Sequence, residues 1–167
     1  MKHKESDLQI RCIKWFRYQY PAFALLMHHP KNEGHGDRRS GAIAKAEGVT
    51  AGVADIILHV PSFDLSSPVC CDTIATNPTL YYSLAIELKT PTGRQSPEQH
   101  RWQRLFEASG GKYVIVRSYN EFVAEVTRYM LNVPLYVTKT VAATHKQLIA
   151  EEDEQVRQQM KKFLNEE

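Results

Sequence analysis

The segment Tyr82–Lys89 reads YSLAIELK, and its alternation of apolar and polar residues is the pattern from which the fold is predicted. Successive side chains of a β-strand point to opposite faces, so residues two apart share one face. The leucine, isoleucine and leucine at alternate positions therefore form the buried side of a predicted strand. Glu87 and Lys89 project together from its other side.

A second strand is predicted upstream, in the nearly continuous apolar run Val53–Val60. Asp55 interrupts this run near its start, soon after a glycine. If the two strands pair as a hairpin, Asp55 and Glu87 converge on one point. The segment between the strands, about residues 61–80, contains prolines, serines, threonines and two adjacent cysteines. That composition is typical of an exposed hairpin extension inserted into the domain.

A helix is predicted to begin after Ser96, because serine is a favoured N-cap residue and Pro97 suits the first helical position. It runs to about Ser109, where two glycines end it. Gln99 shares one stripe of this helix with two aromatic residues that face the core. Gln99 therefore points inward near the end of the Tyr82–Lys89 strand, where it needs a partner such as a water, a lysine or a backbone carbonyl.

The remaining periodicities complete an α/β chain with helices at both ends. They predict a helix over Ser6–Tyr20, a short strand over Ala22–His29, a buried strand over Lys112–Arg117, a helix from Ser118 to about Tyr129 and a last helix over roughly Ala142–Leu164. A mixed central sheet flanked by helices, plus an extra C-terminal helix, buries these faces most economically. We expect one domain over residues 1–133 and a linker with the last helix over residues 134–167.

Two carboxylates and a lysine at one point are suited to binding a divalent cation and a phosphate group. Hard oxygen ligands suit Mg²⁺, which keeps several waters and accepts one or two protein carboxylates together with a phosphate oxygen. Such an ion polarises a scissile phosphate and activates water, and a nearby lysine orients that water or offsets charge on the phosphate. Each part alone also has an ordinary structural explanation, since a Glu-x-Lys pair is common on an exposed strand face. The combination with Asp55 and Gln99 favours a metal-dependent phosphodiesterase.

Composition sets the broad class of the protein. Apolar residues make up 43% and charged residues 24%, as in a soluble globular protein, and the longest apolar runs are too short to cross a bilayer. Three cysteines give neither a disulfide framework nor a metal-finger spacing, and the seven histidines show no zinc spacing. We therefore expect no membrane partner and a cytoplasmic location.

Three motifs in order resemble those of the VRR-NUC family of the PD-(D/E)xK nuclease superfamily, in its phage and bacterial type. They are GVTAGVADI over residues 48–56, AIELKTP over 85–91 and QSPEQHRW over 95–102. The resemblance covers roughly residues 5–130. It implies a restriction-endonuclease-like core, catalysis with Mg²⁺ for which Mn²⁺ can substitute, and a structured DNA substrate. Ala54 stands where the family often has a proline, and the 61–80 insertion is longer than in minimal phage domains.

The resemblance also assigns roles residue by residue. Asp55 and Glu87 would be metal ligands together with the backbone carbonyl of Leu88, Lys89 the catalytic lysine and Gln99 the motif glutamine. Glu5 matches the acidic residue that opens the family's first helix, where it would help to hold metal; its alternative role is a favourable interaction with the helix dipole.

DNA contacts are expected in the Gly-rich basic segment after the first predicted strand. The net charge of +2 is a weak guide, because a phosphate backbone responds to a local basic patch. The predicted DNA-binding residues are Lys31, Asn32, Arg38, Arg39 and Lys45.

The predicted function is a divalent-metal-dependent DNA endonuclease that hydrolyses phosphodiester bonds in Holliday junctions or other branched DNA and works as a homodimer. An apolar stripe on the last helix offers a dimer surface, although the same stripe could pack on its own domain. The alternative is a non-catalytic DNA-binding or assembly module on the same fold. A small-molecule enzyme is disfavoured, because no Gly-rich phosphate loop follows a predicted strand.

Overall fold

The computed structural model describes residues 2–30, 43–64 and 79–165, which form two compact units, one ending at Val133 and the other beginning at Pro134. The described elements, in chain order, are helix α1 (Lys2–Gln19), a 3₁₀ helix (Pro21–Leu26), strands β1 (Met27–His28), β2 (Ile56–Leu58), β3 (Ser62–Asp64), β4 (Thr79–Tyr81) and β5 (Leu84–Leu88), helix α2 (Pro97–Ala108), strand β6 (Lys112–Val116), and helices α3 (Tyr119–Leu131) and α4 (Leu135–Asn165).

The central sheet is mixed, with the strand order β1-β2-β5-β6. Strand β2 pairs antiparallel with β1 and with β5, whereas β5 pairs parallel with β6. The predicted hairpin pairing of the two site-bearing strands is thus confirmed, with Ile56 opposite Ile86. The parallel β5–β6 pair is possible because α2 lies between these strands in the sequence and provides the crossover.

Strand β5 is buried on both of its faces. The aliphatic face was predicted to be buried, but the opposite face is covered as well, by α2. Ala85 and Tyr113 belong to a small core cluster on that side, and the rings of Trp102 and Phe106 pack against it. Because Ala85 is small, the two helix aromatics can approach the sheet closely enough to leave Glu87 with no exposed surface.

Helices α1 and α3 pack against each other through aromatic rings. Trp15 meets Phe122 edge to face at 5.9 Å, and Phe16 and Phe122 have no exposed surface. Ser118 caps α3 by accepting a hydrogen bond from the backbone N–H of Glu121. The side chain of Glu121 accepts from the N–H of Arg117, the residue before the cap.

The strand predicted over Ala22–His29 is wrong for most of its length. Pro21–Leu26 forms a 3₁₀ helix, and only Met27–His28 pairs with β2. Pro21 favours this start because its φ is fixed near the helical value, and Phe23 donates its N–H to the carbonyl of Tyr20. Helix α1 also begins earlier than predicted, at Lys2.

The base of the predicted hairpin extension is a two-stranded ribbon of β3 and β4, while residues 65–78 lie outside the described part of the chain. Side chains tie this base to α3. Ser62 is buried and donates its hydroxyl to the carbonyl of Tyr129 at 2.7 Å. Tyr129 in turn donates its hydroxyl to the carbonyl of Val60 at 2.7 Å.

Helix α4 is longer than predicted. It begins at Leu135, directly after Pro134, and not near Ala142. The β-branched residues at its start favoured a linker, but each of them destabilises a helix by only about 0.7 kcal/mol or less relative to alanine. Thr138 donates its N–H to the carbonyl of Pro134, which makes the first turn regular. Among the described helices, none combines the length and apolar character needed to span a membrane.

Candidate active site

The pairing of β2 with β5 brings Asp55 to Glu87. Extending the register of Ile56 with Ile86 by one residue places Asp55, just before β2, opposite Glu87. Directly opposed residues of an antiparallel pair point to the same face. The Asp55 side chain continues the ladder beyond the end of β2, because its Oδ2 accepts a hydrogen bond from the N–H of Leu88 at 2.7 Å.

Glu87 is a fully buried carboxylate with three side-chain donors around it. Its Oε1 accepts from Nε2 of Gln99 at 2.5 Å and lies 2.7 Å from Nζ of Lys89. Its Oε2 accepts from the hydroxyl of Tyr113 at 3.1 Å. The described part of the chain leaves no buried side-chain nitrogen or oxygen without a hydrogen-bond partner, and both oxygens of this carboxylate are bonded.

The cap of α2 fixes the orientation of Gln99. Ser96 accepts from the N–H of Gln99 at 3.2 Å, and the N–H of Ser96 donates to Oε1 of Gln99 at 2.9 Å, which completes a capping box. Since the amide oxygen is committed to the cap, the amide nitrogen is the end that points at Glu87. The partner expected for Gln99 was a water, a lysine or a backbone carbonyl, and the structure gives a carboxylate instead.

Burial is the main cause that makes both carboxylates harder to ionise. Burial raises the pKa of Asp55, against a lowering by the Leu88 N–H and by Lys89. Burial and then the charge of Asp55 raise the pKa of Glu87, against a lowering by Lys89 and the Tyr113 hydroxyl. A cation placed between the carboxylates would relieve both effects, because it favours the charged form of each.

Glu5 lies at the same edge of the sheet. Its Oε1 accepts from the N–H of Thr90, just past β5, at 3.3 Å, and its charge is one of the causes that raise the pKa of Asp55. The structure therefore places Glu5 beside the site and in the first turn of α1 at once. His29 also contacts this edge, since its Nδ1–H donates a hydrogen bond to the carbonyl of Asp55 at 2.5 Å.

The donor set suits a hard divalent cation. The N–H and the carbonyl of one strand residue point to the same side, so the carbonyl of Leu88 faces the Asp55 edge as its N–H does. Two carboxylates and one carbonyl match the few protein ligands that Mg²⁺ takes. Among the described residues, no three histidine, cysteine, aspartate or glutamate side chains form a metal-binding group on their own. The fit therefore depends on the backbone carbonyl and on water.

Residues that the sequence interpretation missed support Tyr113 and the loop that follows Lys89. Gln95 donates to the Tyr113 hydroxyl at 3.3 Å and to Oε1 of Gln103 at 2.9 Å. Arg117 donates through Nη1 to the carbonyls of Thr90 and Gly93, at 2.7 and 2.9 Å, and so holds the loop that follows Lys89. A tyrosine in an otherwise aliphatic strand was the available signal for Tyr113; nothing in the local pattern marked Arg117.

Of the predicted DNA-binding residues, Lys45 is exposed in a helical turn over residues 43–46. The other four, Lys31, Asn32, Arg38 and Arg39, lie outside the described residues. The ring of His59 stacks on that of His28, with centroids 5.0 Å apart.

The architecture of the chain is similar to that of a known protein structure. No protein-family model matches the chain, and no curated protein matches it. Among solved structures, one named "VRR_NUC domain protein" superimposes with a TM-score of 0.60 over 77% of this chain and 89% of its own length, at 18% sequence identity. The chain has a VRR_NUC nuclease-like fold. The expected mixed sheet flanked by helices is confirmed at the level of this fold. Within the VRR_NUC-like sheet, Asp55, Glu87 and Lys89 lie where β2 and β5 meet, beside Gln99 of α2.

Proposed function

We propose that the protein is a divalent-metal-dependent DNA endonuclease of the phage and bacterial VRR-NUC type, hydrolysing phosphodiester bonds in the cytoplasm of a bacterial cell or phage-infected host. The observation that carries the proposal is the convergence of Asp55, Glu87, Lys89 and Gln99 at one end of the β2–β5 pair. One fold can host many functions, so the proposed activity depends on these side chains.

The chain's own residues divide the work at this site. Asp55, Glu87 and the Leu88 carbonyl would hold Mg²⁺ or Mn²⁺, which when bound supplies polarisation of the scissile phosphate and a more acidic water. Lys89 would carry positive charge next to the reacting phosphate, and its Nζ at 2.7 Å from Glu87 supports this role. Gln99 orients Glu87, since its amide oxygen is anchored in the α2 cap.

The test is cleavage of supercoiled plasmid with Mg²⁺, with Mn²⁺ and with EDTA. Asp55→Asn and Glu87→Gln should each reduce cleavage by several orders of magnitude, while DNA binding stays equal or becomes stronger because repulsion of phosphate is reduced. Glu107→Gln, which removes an exposed carboxylate of α2, is the matched control and should cleave like the wild type. Wild-type cleavage by either site variant would refute the assignment.

The competing candidate is a non-catalytic DNA-binding or assembly module on the same fold. It is disfavoured because both carboxylates and the lysine are present. A module that only binds DNA would gain nothing from a buried pair of carboxylates that repel each other. DNA binding without cleavage in any divalent cation would favour this candidate.

The substrate we propose is branched DNA, such as a Holliday junction, cut by a homodimer. A domain with one site cuts one strand, so two coordinated cuts require two copies, and a two-fold dimer matches the symmetry of a four-way junction.

A further inference from the structure

A groove of about 410 Å³ runs beside α1, next to the candidate active site. Its lining includes Gln9, Ile10, Ile13, Lys14 and Arg17 of α1, and His29 from the segment after β1. The metal-binding and catalytic set described above takes no residue from this lining.

The near end of the groove coincides with the site. His29 lines the groove and donates a hydrogen bond to the carbonyl of Asp55. Glu5, which lies one helical turn before Gln9, accepts a hydrogen bond from the N–H of Thr90, just past the end of β5. A chain-like ligand whose reacting group sits at Asp55 and Glu87 can therefore continue directly into the groove.

The far end of the groove is cationic and exposed. Lys14 and Arg17 are both exposed and three residues apart, so they lie on one face of α1 about 4.5 Å apart along its axis. None of the described residues that line the groove is a carboxylate. Ile10 adds an apolar patch, with 51% of its surface exposed.

This lining matches the alternating phosphates and sugars of a nucleic-acid strand. Phosphates pair with lysine and arginine, while sugar carbons can pack on an aliphatic side chain such as Ile10. A small free anion fits less well, because both cations sit at the ends of long, exposed side chains and form no enclosed pocket.

We propose that the α1 groove holds one strand of the DNA on one side of the scissile phosphate, with Lys14 and Arg17 contacting its phosphates. This inference rests on the proposed nuclease function, since it assigns the path by which the substrate leaves that site. Lys14 lies nine residues after Glu5, which is about 14 Å along α1, or about four nucleotides of one strand.

The experiment compares two charge-reversed pairs in the full chain. Lys14→Glu with Arg17→Glu alters the groove, and Arg101→Glu with Arg104→Glu makes the same charge change at the same spacing on the exposed side of α2. Affinity for a fluorescein-labelled DNA duplex is measured by anisotropy in EDTA over a range of salt concentrations. The groove pair should lose about tenfold to a hundredfold in affinity near physiological salt, and the slope of log K against log salt should fall by about 2. The α2 pair should bind nearly as the wild type does.

Thermal melts check folding, and Lys14→Gln with Arg17→Gln replaces the groove pair if charge reversal unfolds the protein. Equal losses in both pairs would overturn the inference, because net charge would then explain them. Unchanged affinity and slope in the groove pair would overturn it too, while plasmid cleavage with Mg²⁺ would leave the proposed nuclease standing. A groove-specific loss of binding in a protein that cleaves nothing would keep the groove as a DNA site and remove the nuclease.

Discussion

Glu87 is a carboxylate with no exposed surface, and its position is set by four neighbours on four elements. Gln99 comes from α2, Tyr113 from β6 and Lys89 from the end of β5, while Asp55 approaches from the start of β2. A buried charge is tolerated only where donors and counter-charges surround it. The site therefore forms only when all three strands and α2 have assembled.

The Tyr113 hydroxyl should act as a positioning group for Glu87. Tyr113→Phe removes the donor to Oε2 of Glu87, and because that bond lowers the pKa of Glu87, the pKa should rise further. We expect kcat to fall about tenfold with KM for DNA nearly unchanged, which corresponds to one lost charge-assisted hydrogen bond. The acidic limb of the pH–rate profile should move to higher pH. Tyr82→Phe, on an exposed ring, is the control; equal profiles for the two variants would contradict the role.

The raised pKa values of Asp55 and Glu87 predict how metal-free stability depends on pH. Since burial raises both, the folded chain retains protons that the unfolded chain releases near pH 4. Their contribution to stability is complete below about pH 4 and is lost as the pH rises through the raised values. The wild type should therefore lose stability relative to Asp55→Asn/Glu87→Gln as the pH rises above about 4. Urea denaturation in EDTA measures this; a difference independent of pH would refute it.

At the scale of elements, the turn before β2 and the first turn of α2 are fitted to each other. Gly52 has φ +82°, and a side chain there would bring its Cβ to 2.7 Å from the backbone nitrogen of Gln99. Gly48 also has a positive φ, +99°, but has nothing within 4 Å of the same position. Substitution of Gly48 therefore tests backbone strain alone, whereas substitution of Gly52 tests strain together with displacement of α2.

Gly48→Ala should cost about 1 kcal/mol through strain alone and leave cleavage unchanged. Gly52→Ala carries the same strain and must also push the cap of α2 away, so it should cost more and lower cleavage by displacing Gln99. Chemical denaturation and plasmid cleavage measure the two effects. Equal losses of stability and equal cleavage in the two variants would show that the contact with α2 is unimportant.

Local pattern was enough to predict β2, β5 and α2, because strand alternation and a serine–proline helix start are strong signals that tertiary packing did not override. It failed at Pro21–Leu26, where an apolar run has no period and suits a 3₁₀ turn or a strand equally well. It also missed the burial of Glu87. That burial depends on how closely α2 approaches Ala85, which is a property of two distant elements and not of either sequence.

At the scale of the whole molecule, α4 forms a compact unit of its own from Pro134 onward. Leu135, Ala142, Ile149 and Val156 recur at seven-residue intervals along it, and three of these, with Met160, are exposed apolar side chains. Seven residues are close to two helical turns, so these apolar side chains form one stripe along α4. Phe163 stands at the next position of this repeat, and its side chain lies outside the described part of the chain.

This repeat argues for association through α4, and we expect the chain to be a homodimer in micromolar solution by light scattering. Ile149→Glu with Val156→Glu should give monomers, because charges in a helix–helix seam are costly. Gln147→Glu with Gln155→Glu adds the same charge at exposed polar positions of the same helix and should remain dimeric.

The dimer makes a further prediction about products. On a plasmid that extrudes a cruciform, paired sites should cut both strands in one encounter and yield linear DNA, and the junction should be cut faster than plain duplex. The monomeric variant keeps Asp55 and Glu87 but should yield mainly nicked circles, because its two cuts are independent events. A monomeric wild type with equal rates on junction and duplex would refute both the dimer and the branched substrate. It would leave the nuclease assignment untouched, since that depends on Asp55 and Glu87 within one copy.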